Sequence, residues 1–219
     1  MIADKYRTAV APLANRVVGS ITGDITTTTA PSGESALGDV IADGMTAYAA
    51  SATPDLAIMN PGGIRASLIY SNSAGGEAPG QVTYGEAFTV QPFNNLVVTR
   101  TYTGAQLKEV LEQQWSGYAG QTSTKILQVS DDITYSYDLT RALGDRVSAI
   151  QVHGTPIDPA GSYRVTMNDF LAAGGDGFTN LKVGTSPVYA PGFDVDALTS
   201  YLGTGPIAPG PMNRITKLG

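Results

Sequence analysis

The stretch Asn168-Asp169-Phe170-Leu171-Ala172-Ala173-Gly174-Gly175-Asp176-Gly177-Phe178 constrains this chain more than any other. Before it, Tyr163 to Met167 carries alternating Val165 and Met167 and reads as a strand running into a turn. Three glycines around one aspartate then make a tight loop. Glycine takes up φ > 0 and permits close backbone approach, and Asp176 can accept backbone N–H bonds inside the turn. Phe178 closes the loop with no strand or helix face of its own to fill. An aromatic on a rigid glycine loop suits the stacking of a flat ligand, and it equally suits a plug for the core beneath a well-made turn. From this segment alone both readings stand.

Short strands and helices precede it. Tyr6, Val10 and Leu13 fall at helical spacing, which predicts a helix over residues 3–14, and Val17 to Ile21 reads as a strand. From Glu34 to Ala50 the stripe Leu37, Val40, Ile41, Met45 and Tyr48 predicts a helix with one buried face, Ser32 as its cap and Glu34 in its first turn. Asp39 and Asp43 then lie four apart on the exposed side. A solvated face explains them more simply than a metal, since no histidine or third carboxylate is nearby. Asp55 to Met59 is a continuous apolar strand that runs into Asn60-Pro61-Gly62-Gly63-Ile64-Arg65. Asn60 offers both a donor and an acceptor, as a nucleobase edge needs, and Arg65 a planar fork for phosphate or carboxylate. The same residues also read as an ordinary turn with a solvated arginine.

Thr83 with Glu86, and Thr103 with Gln106, are capping boxes, so helices are predicted to start there, the second running to about Trp115. Between them Gln91-Pro92-Phe93-Asn94-Asn95 is a turn carrying an aromatic, and Leu96 to Tyr102 a strand. Ile133 to Tyr137 and Val147 to Val152 read as strands, with His153-Gly154 as a hairpin turn. Asp194 is predicted to cap a last helix through Leu202, before a strand over Asn213 to Leu218.

Composition excludes much of the usual chemistry. The chain of 219 residues has one histidine and no cysteine, so thiolate nucleophiles, disulfides and cysteine-ligated metals are out. A net charge of −6 without a basic run speaks against a nucleic-acid partner, and no apolar run approaches the ~20 residues of a membrane span. No nucleophile elbow and no phosphate-binding Walker loop is present. Met1 to Tyr6 opens into a mixed helical pattern without signal-peptide character, which leads to the expectation of a piece of something longer. What remains is equipment for holding a ligand.

Four blocks, in this order, resemble the C-terminal domain of the 5'-nucleotidase, UDP-sugar hydrolase and 2',3'-cyclic phosphodiesterase family. They are Glu34 to Asp43, Asn60 to Arg65, Tyr84-Gly85-Glu86 through Pro92-Phe93, and Asn168 to Phe178. The resemblance implies a single α+β domain with a mixed β-sheet flanked by helices. Residues 1–18 would be an interdomain linker helix and lead-in, and residues 19–219 the substrate-binding domain. It implies a nucleotide or nucleoside ligand, and as partner an N-terminal metallophosphatase domain of the same polypeptide. That domain would hold two divalent metal ions and the catalytic residues, leaving this chain without metal ligands and inactive by itself. An extracellular or bacterial cell-surface location also follows from the resemblance. A free-standing nucleoside-binding module and a cell-surface scaffold without catalysis are the alternatives. Carried over by position, Phe93 and Phe178 match the pair that sandwiches the base, and Asn60 the residue that touches it. Arg65 matches the arginine that helps hold ribose or phosphate, and Gly63 belongs to the same turn. Two positions depart from the pattern. Ala36 stands where relatives carry an arginine, and 179–182 reads Thr-Asn-Leu-Lys where an acidic residue for the ribose hydroxyls is expected.

Overall fold

Leu56-Ala57-Ile58-Met59 is apolar throughout, and a strand buries four consecutive side chains only when both its faces are covered. In the computed structural model, which describes residues 10–219, both faces are covered. Leu56 and Ile58 join a core with Trp115, Tyr135, Val165 and Met167. Ala57 and Met59 join another with Leu37, Ile41, Met45 and Leu198.

In chain order the elements begin β1 (Val17–Ile21), α1 (Ala36–Tyr48), β2 (Leu56–Met59), β3 (Gln81–Thr83) and α2 (Tyr84–Val90). Next come β4 (Leu96–Thr103), α3 (Gly104–Glu112), β5 (Gln128–Val129), β6 (Ile133–Asp138), β7 (Val147–Val152) and β8 (Thr155–Pro156). The last are β9 (Ser162–Asn168), α4 (Asp169–Ala172), β10 (Thr185–Phe193), α5 (Asp194–Leu202), β11 (Pro206–Ile207) and β12 (Ile215–Leu218). The fold is α+β, with mixed sheet flanked by helices, divided into a five-stranded sheet β10-β4-β9-β2-β5, a four-stranded sheet β12-β6-β7-β8 and a three-stranded sheet β11-β1-β3.

Local signals form where expected. Both capping boxes close, Thr83 on Glu86 and Thr103 on Gln106. His153 and Gly154 both take positive φ (49° and 72°) in the two-residue turn between β7 and β8, as a type I′ hairpin requires. Several boundaries differ. Helix α3 stops at Glu112, and Trp115 lies in the core beyond it. Asp194 sits one residue inside α5 rather than at its cap. Of the helix expected over residues 3–14, residues 10–14 are helical and the rest lies outside the described residues.

Helix α1 starts two residues later than its periodicity suggests, with Ser35, not Ser32, accepting from the Gly38 amide at 3.2 Å. Glu34 has another task. Its carboxylate is fully buried and takes the backbone N–H groups of Arg214 and Ile215 at 2.9 and 3.0 Å, which fixes the start of β12. The pair read as solvated, Asp39 and Asp43, is also not so. The guanidinium of Arg214, 171 residues further on, forks onto Asp43 at 2.6 and 2.8 Å. Asp39 is fully buried, and its carboxylate oxygens have no hydrogen-bond partner among the described residues; the nearest cationic approach is Arg214 Nε at 3.9 Å.

Burial pushes the Asp39 carboxyl up to about 8, against the pull of Arg214 and with help from the neighbouring Glu34 and Asp43. The unfolded chain gives up that proton near the ordinary value of 3.8. Asp39 therefore contributes its full share of stability below pH 3.8 and loses it as pH rises towards 8. Asp39→Asn, which imitates the protonated acid, is expected to gain on the parent chain over that window, by at most ~1.4 kcal/mol per pH unit, and to level off above it. Urea unfolding of both chains at a series of pH values measures the difference. A difference that does not vary with pH contradicts the assignment.

Candidate functional site

Strands β2 and β9 run parallel, with Leu56 beside Val165 and Ala57 beside Thr166, so their carboxyl ends emerge together. β4 lies antiparallel on the other side of β9, with Val97 opposite Asn168, so its first residue comes to the same edge. Three segments far apart in sequence thus meet there: Asn60 to Arg65 after β2, Asn168 to Phe178 after β9, and the Gln91–Asn95 turn before β4. The crevice outside the carboxyl ends of parallel strands is a recurrent place for ligands in sheets of this kind. Here it is a cleft of about 150 Å³, partly open to solvent and lined by Asn60, Gly62, Gly63, Phe93, Asn95, Phe170 and Asp176.

Its polar edge is a chain of side-chain hydrogen bonds. Asn168 Nδ2 donates to Asn60 Oδ1 at 2.8 Å, and Asn60 Nδ2 donates to Asp176 Oδ2 at 2.6 Å. Lys125 Nζ stands 3.6 Å from Asp176 Oδ1. Asn168 also accepts from the Leu171 amide at 2.7 Å and so caps α4, the short helix that carries Phe170. Gly63 is needed beneath Asn60, because a Cβ there would come within 2.4 Å of Met59 Cε and 3.2 Å of Asn60 Oδ1.

The apolar walls are Phe93 and Phe170, 52% and 47% exposed. The turn carrying Phe93 is tied down next to it. Asn95 Nδ2 donates to Asp194 Oδ2 at 2.9 Å, and the Asp194 amide donates back to the Asn95 carbonyl at 2.8 Å. Burial raises the Asp194 carboxyl pKa, partly offset by the hydrogen bonds from Asn95 and Val195. The ring of Phe170 lies over Gly175, where a Cβ would meet it at 2.5 Å.

Of the residues singled out from sequence, Asn60, Gly63 and Phe93 line the cleft. Phe178 does not. It has no exposed surface and packs in the core with Leu171 and Leu181. The cause is local: Asp176 and Gly177 both take positive φ (55° and 88°), and the chain leaves the loop inwards. Phe170 occupies the wall instead. Its signal was present in sequence, since Asn168 caps a turn whose Leu171 and Ala172 are buried and whose Phe170 is left outside. Asp176, read as a loop-closing acceptor of backbone N–H groups, turns its carboxylate to Asn60 instead. Arg65 is exposed and does not line the cleft; its Nη1 donates to the Gly62 carbonyl on the rim at 3.3 Å. Ala36 is buried at the start of α1.

The cleft presents two aromatic faces, amide groups and one carboxylate. Among the described residues no group of three histidine, cysteine, aspartate or glutamate side chains is placed to hold a metal ion. None of the described helices is long and apolar enough to cross a membrane.

Residues 17–183 match the family model described as 5'-nucleotidase, C-terminal domain. The chain is 31% identical to Endonuclease YhcR of Bacillus subtilis over 203 residues, which is 92% of this chain and 15% of that protein. It is 36% identical to Cell wall protein Lmo0130 of Listeria monocytogenes over 160 residues, 68% of this chain and 19% of that one. The solved structure of a 5'-nucleotidase precursor from Thermus thermophilus superimposes with a TM-score of 0.81 at 32% identity, covering 98% of this chain and 42% of that one. The chain thus spans less than half the length of each of these proteins.

The two phenylalanines of the glycine loop should separate in a stability measurement. Phe178→Ala removes a buried ring and is expected to cost ~3–5 kcal/mol in urea unfolding, whereas Phe170→Ala should cost less than about 1 kcal/mol. Equal costs would mean that both rings are core.

Proposed function

This chain belongs to the family of 5'-nucleotidase C-terminal domains, and on that premise we propose that its cleft holds the nucleoside part of a nucleotide. The observation that carries the reading is the pairing of two half-exposed phenylalanines, Phe93 and Phe170, on one cleft with a donor and an acceptor beneath them. One half-exposed phenylalanine is ordinary, but two that share a concave site with convergent polar groups point to a flat ligand. The base stacks between the rings. Asn60, with its oxygen and one amide hydrogen already engaged, keeps one N–H for an acceptor on the ligand. The carboxylate of Asp176 takes the ribose hydroxyls, which are donors. It lies six positions after Phe170, the kind of interval at which the resemblance calls for an acidic residue beyond the aromatic. Arg65, on the rim, meets the phosphate.

The whole protein's activity, in this proposal, is hydrolysis of nucleotide phosphate esters. The bond-breaking belongs to two divalent metal ions in an N-terminal metallophosphatase domain, and binding and orientation belong to this chain. An extracellular or cell-surface setting is part of the same proposal, supported by the cell wall relative.

Titration with adenosine, followed by amide resonances, tests the cleft. Shifts are expected at Asn60 to Gly63, Phe93 to Asn95, Phe170 and Asp176, and Phe93→Ala or Phe170→Ala should each weaken binding roughly two- to tenfold. Shifts confined to another face would remove the proposal. Arg65→Ala should weaken adenosine monophosphate by roughly ten- to a hundredfold and leave adenosine unchanged. Equal losses for both ligands would take the phosphate away from Arg65.

A further inference from the structure

Asp176 reaches the cleft from an unusual backbone. It is a non-glycine residue at φ 55°, between Gly175 and Gly177, and the left-handed region is one that residues with a Cβ occupy only when their surroundings hold them there. Two side chains supply the hold. Lys125 Nζ and Gln121 Nε2 both donate to the Asp176 carbonyl oxygen, at 3.0 and 3.1 Å. Both come from the long connection between α3 and β5, which none of the four family-like blocks includes. Neither lines the cleft.

We infer that Lys125 and Gln121 are positioning residues, which pin the left-handed turn of Asp176 and thereby aim its carboxylate at the hydroxyl groups of a ligand. Gln121 is fitted for this. It is 3% exposed, and its Oε1 accepts from the Thr122 amide at 3.1 Å, so its Nε2 is left to face Asp176. It also packs against the turn so closely that a Cβ on Gly177 would lie 2.6 Å from Gln121 Oε1. Lys125 is anchored through its own amide, which donates to the Gln114 carbonyl at 2.8 Å. Its ammonium does two things at once. It bonds the Asp176 carbonyl and stands 3.6 Å from the carboxylate oxygen that Asn60 does not hold. A carboxylate set beside two aromatic walls loses part of its hydration, and a cation behind it offsets that loss without entering the cleft. The consequence is selectivity. Ligands with vicinal hydroxyl donors gain from the aimed carboxylate, and ligands without them bind by stacking alone.

This rests on the nucleoside reading of the cleft, and the test separates the two. Adenosine and 2',3'-dideoxyadenosine are titrated into the 219-residue chain and into Lys125→Met, Lys125→Arg and Gln121→Leu. The parent chain should prefer adenosine. Lys125→Met should lose about tenfold in adenosine affinity, the worth of one charge-assisted hydrogen bond, with dideoxyadenosine unchanged. Lys125→Arg should restore the preference. Gln121→Leu should reduce it in the same direction. A loss of general structure would weaken both nucleosides alike, and that outcome, like an unchanged preference in Lys125→Met, overturns the inference. If the parent chain binds neither nucleoside in the cleft, the nucleoside reading falls. The carbonyl 13C resonance of Asp176 then decides the positioning role: an upfield move on loss of each donor upholds it, and no move in either variant overturns it.

Discussion

The parallel pairing of β2 with β9 is the contact on which the rest of the cleft depends. It is made by residues buried on both faces, so a slip of one residue would exchange the two cores and is strongly opposed. With the register held, Asn60 and Asn168 arrive side by side at the strand ends, both buried and both in need of partners. Asn168 donates to Asn60, whose own amide donates to Asp176, and the side-chain oxygen of Asn168 accepts from Leu171 and caps the helix of Phe170. One amide therefore couples the orientation of the donor in the cleft to the position of the aromatic wall.

What sequence reveals of this is decided by distance along the chain. Both capping boxes and the His153-Gly154 hairpin are legible because donor and acceptor lie within three or four residues of each other. The half-exposed Phe93 is legible for the same reason, as an aromatic on a turn with no periodic face. Arg214 with Asp43 is not, since nothing near Asp43 announces a cation 171 residues away. The glycine loop is the intermediate case. Its sequence dictates a tight turn and holds two phenylalanines eight positions apart, but which of them enters the core depends on the left-handed conformations of Asp176 and Gly177. The resemblance pointed to Phe178, which is buried, while Phe170 of the same loop lines the cleft.

Buried acids are used twice here in one way. Glu112, at the end of α3, takes the backbone N–H groups of Arg146 and Val147 at 3.1 and 2.7 Å where β7 begins. Glu34 does the same for β12. A carboxylate that accepts two amides from a strand's first residues is a charge-assisted clasp, stronger than a neutral one, and it sets where the strand enters its sheet. Both carboxylates are buried together with the backbone groups they hold.

The two clasps differ in when they can close. During synthesis Glu112 waits for donors 34 and 35 residues behind it, so that clasp can close while the chain is still being made. Glu34 waits for donors 180 and 181 residues behind it. At ribosomal speeds that is roughly 10 to 40 s, throughout which the acid at the foot of α1 lacks the amides that pair it in the finished molecule. Helix α1 is thus among the last elements of this chain to reach its final surroundings, and β12 closes the fold around it.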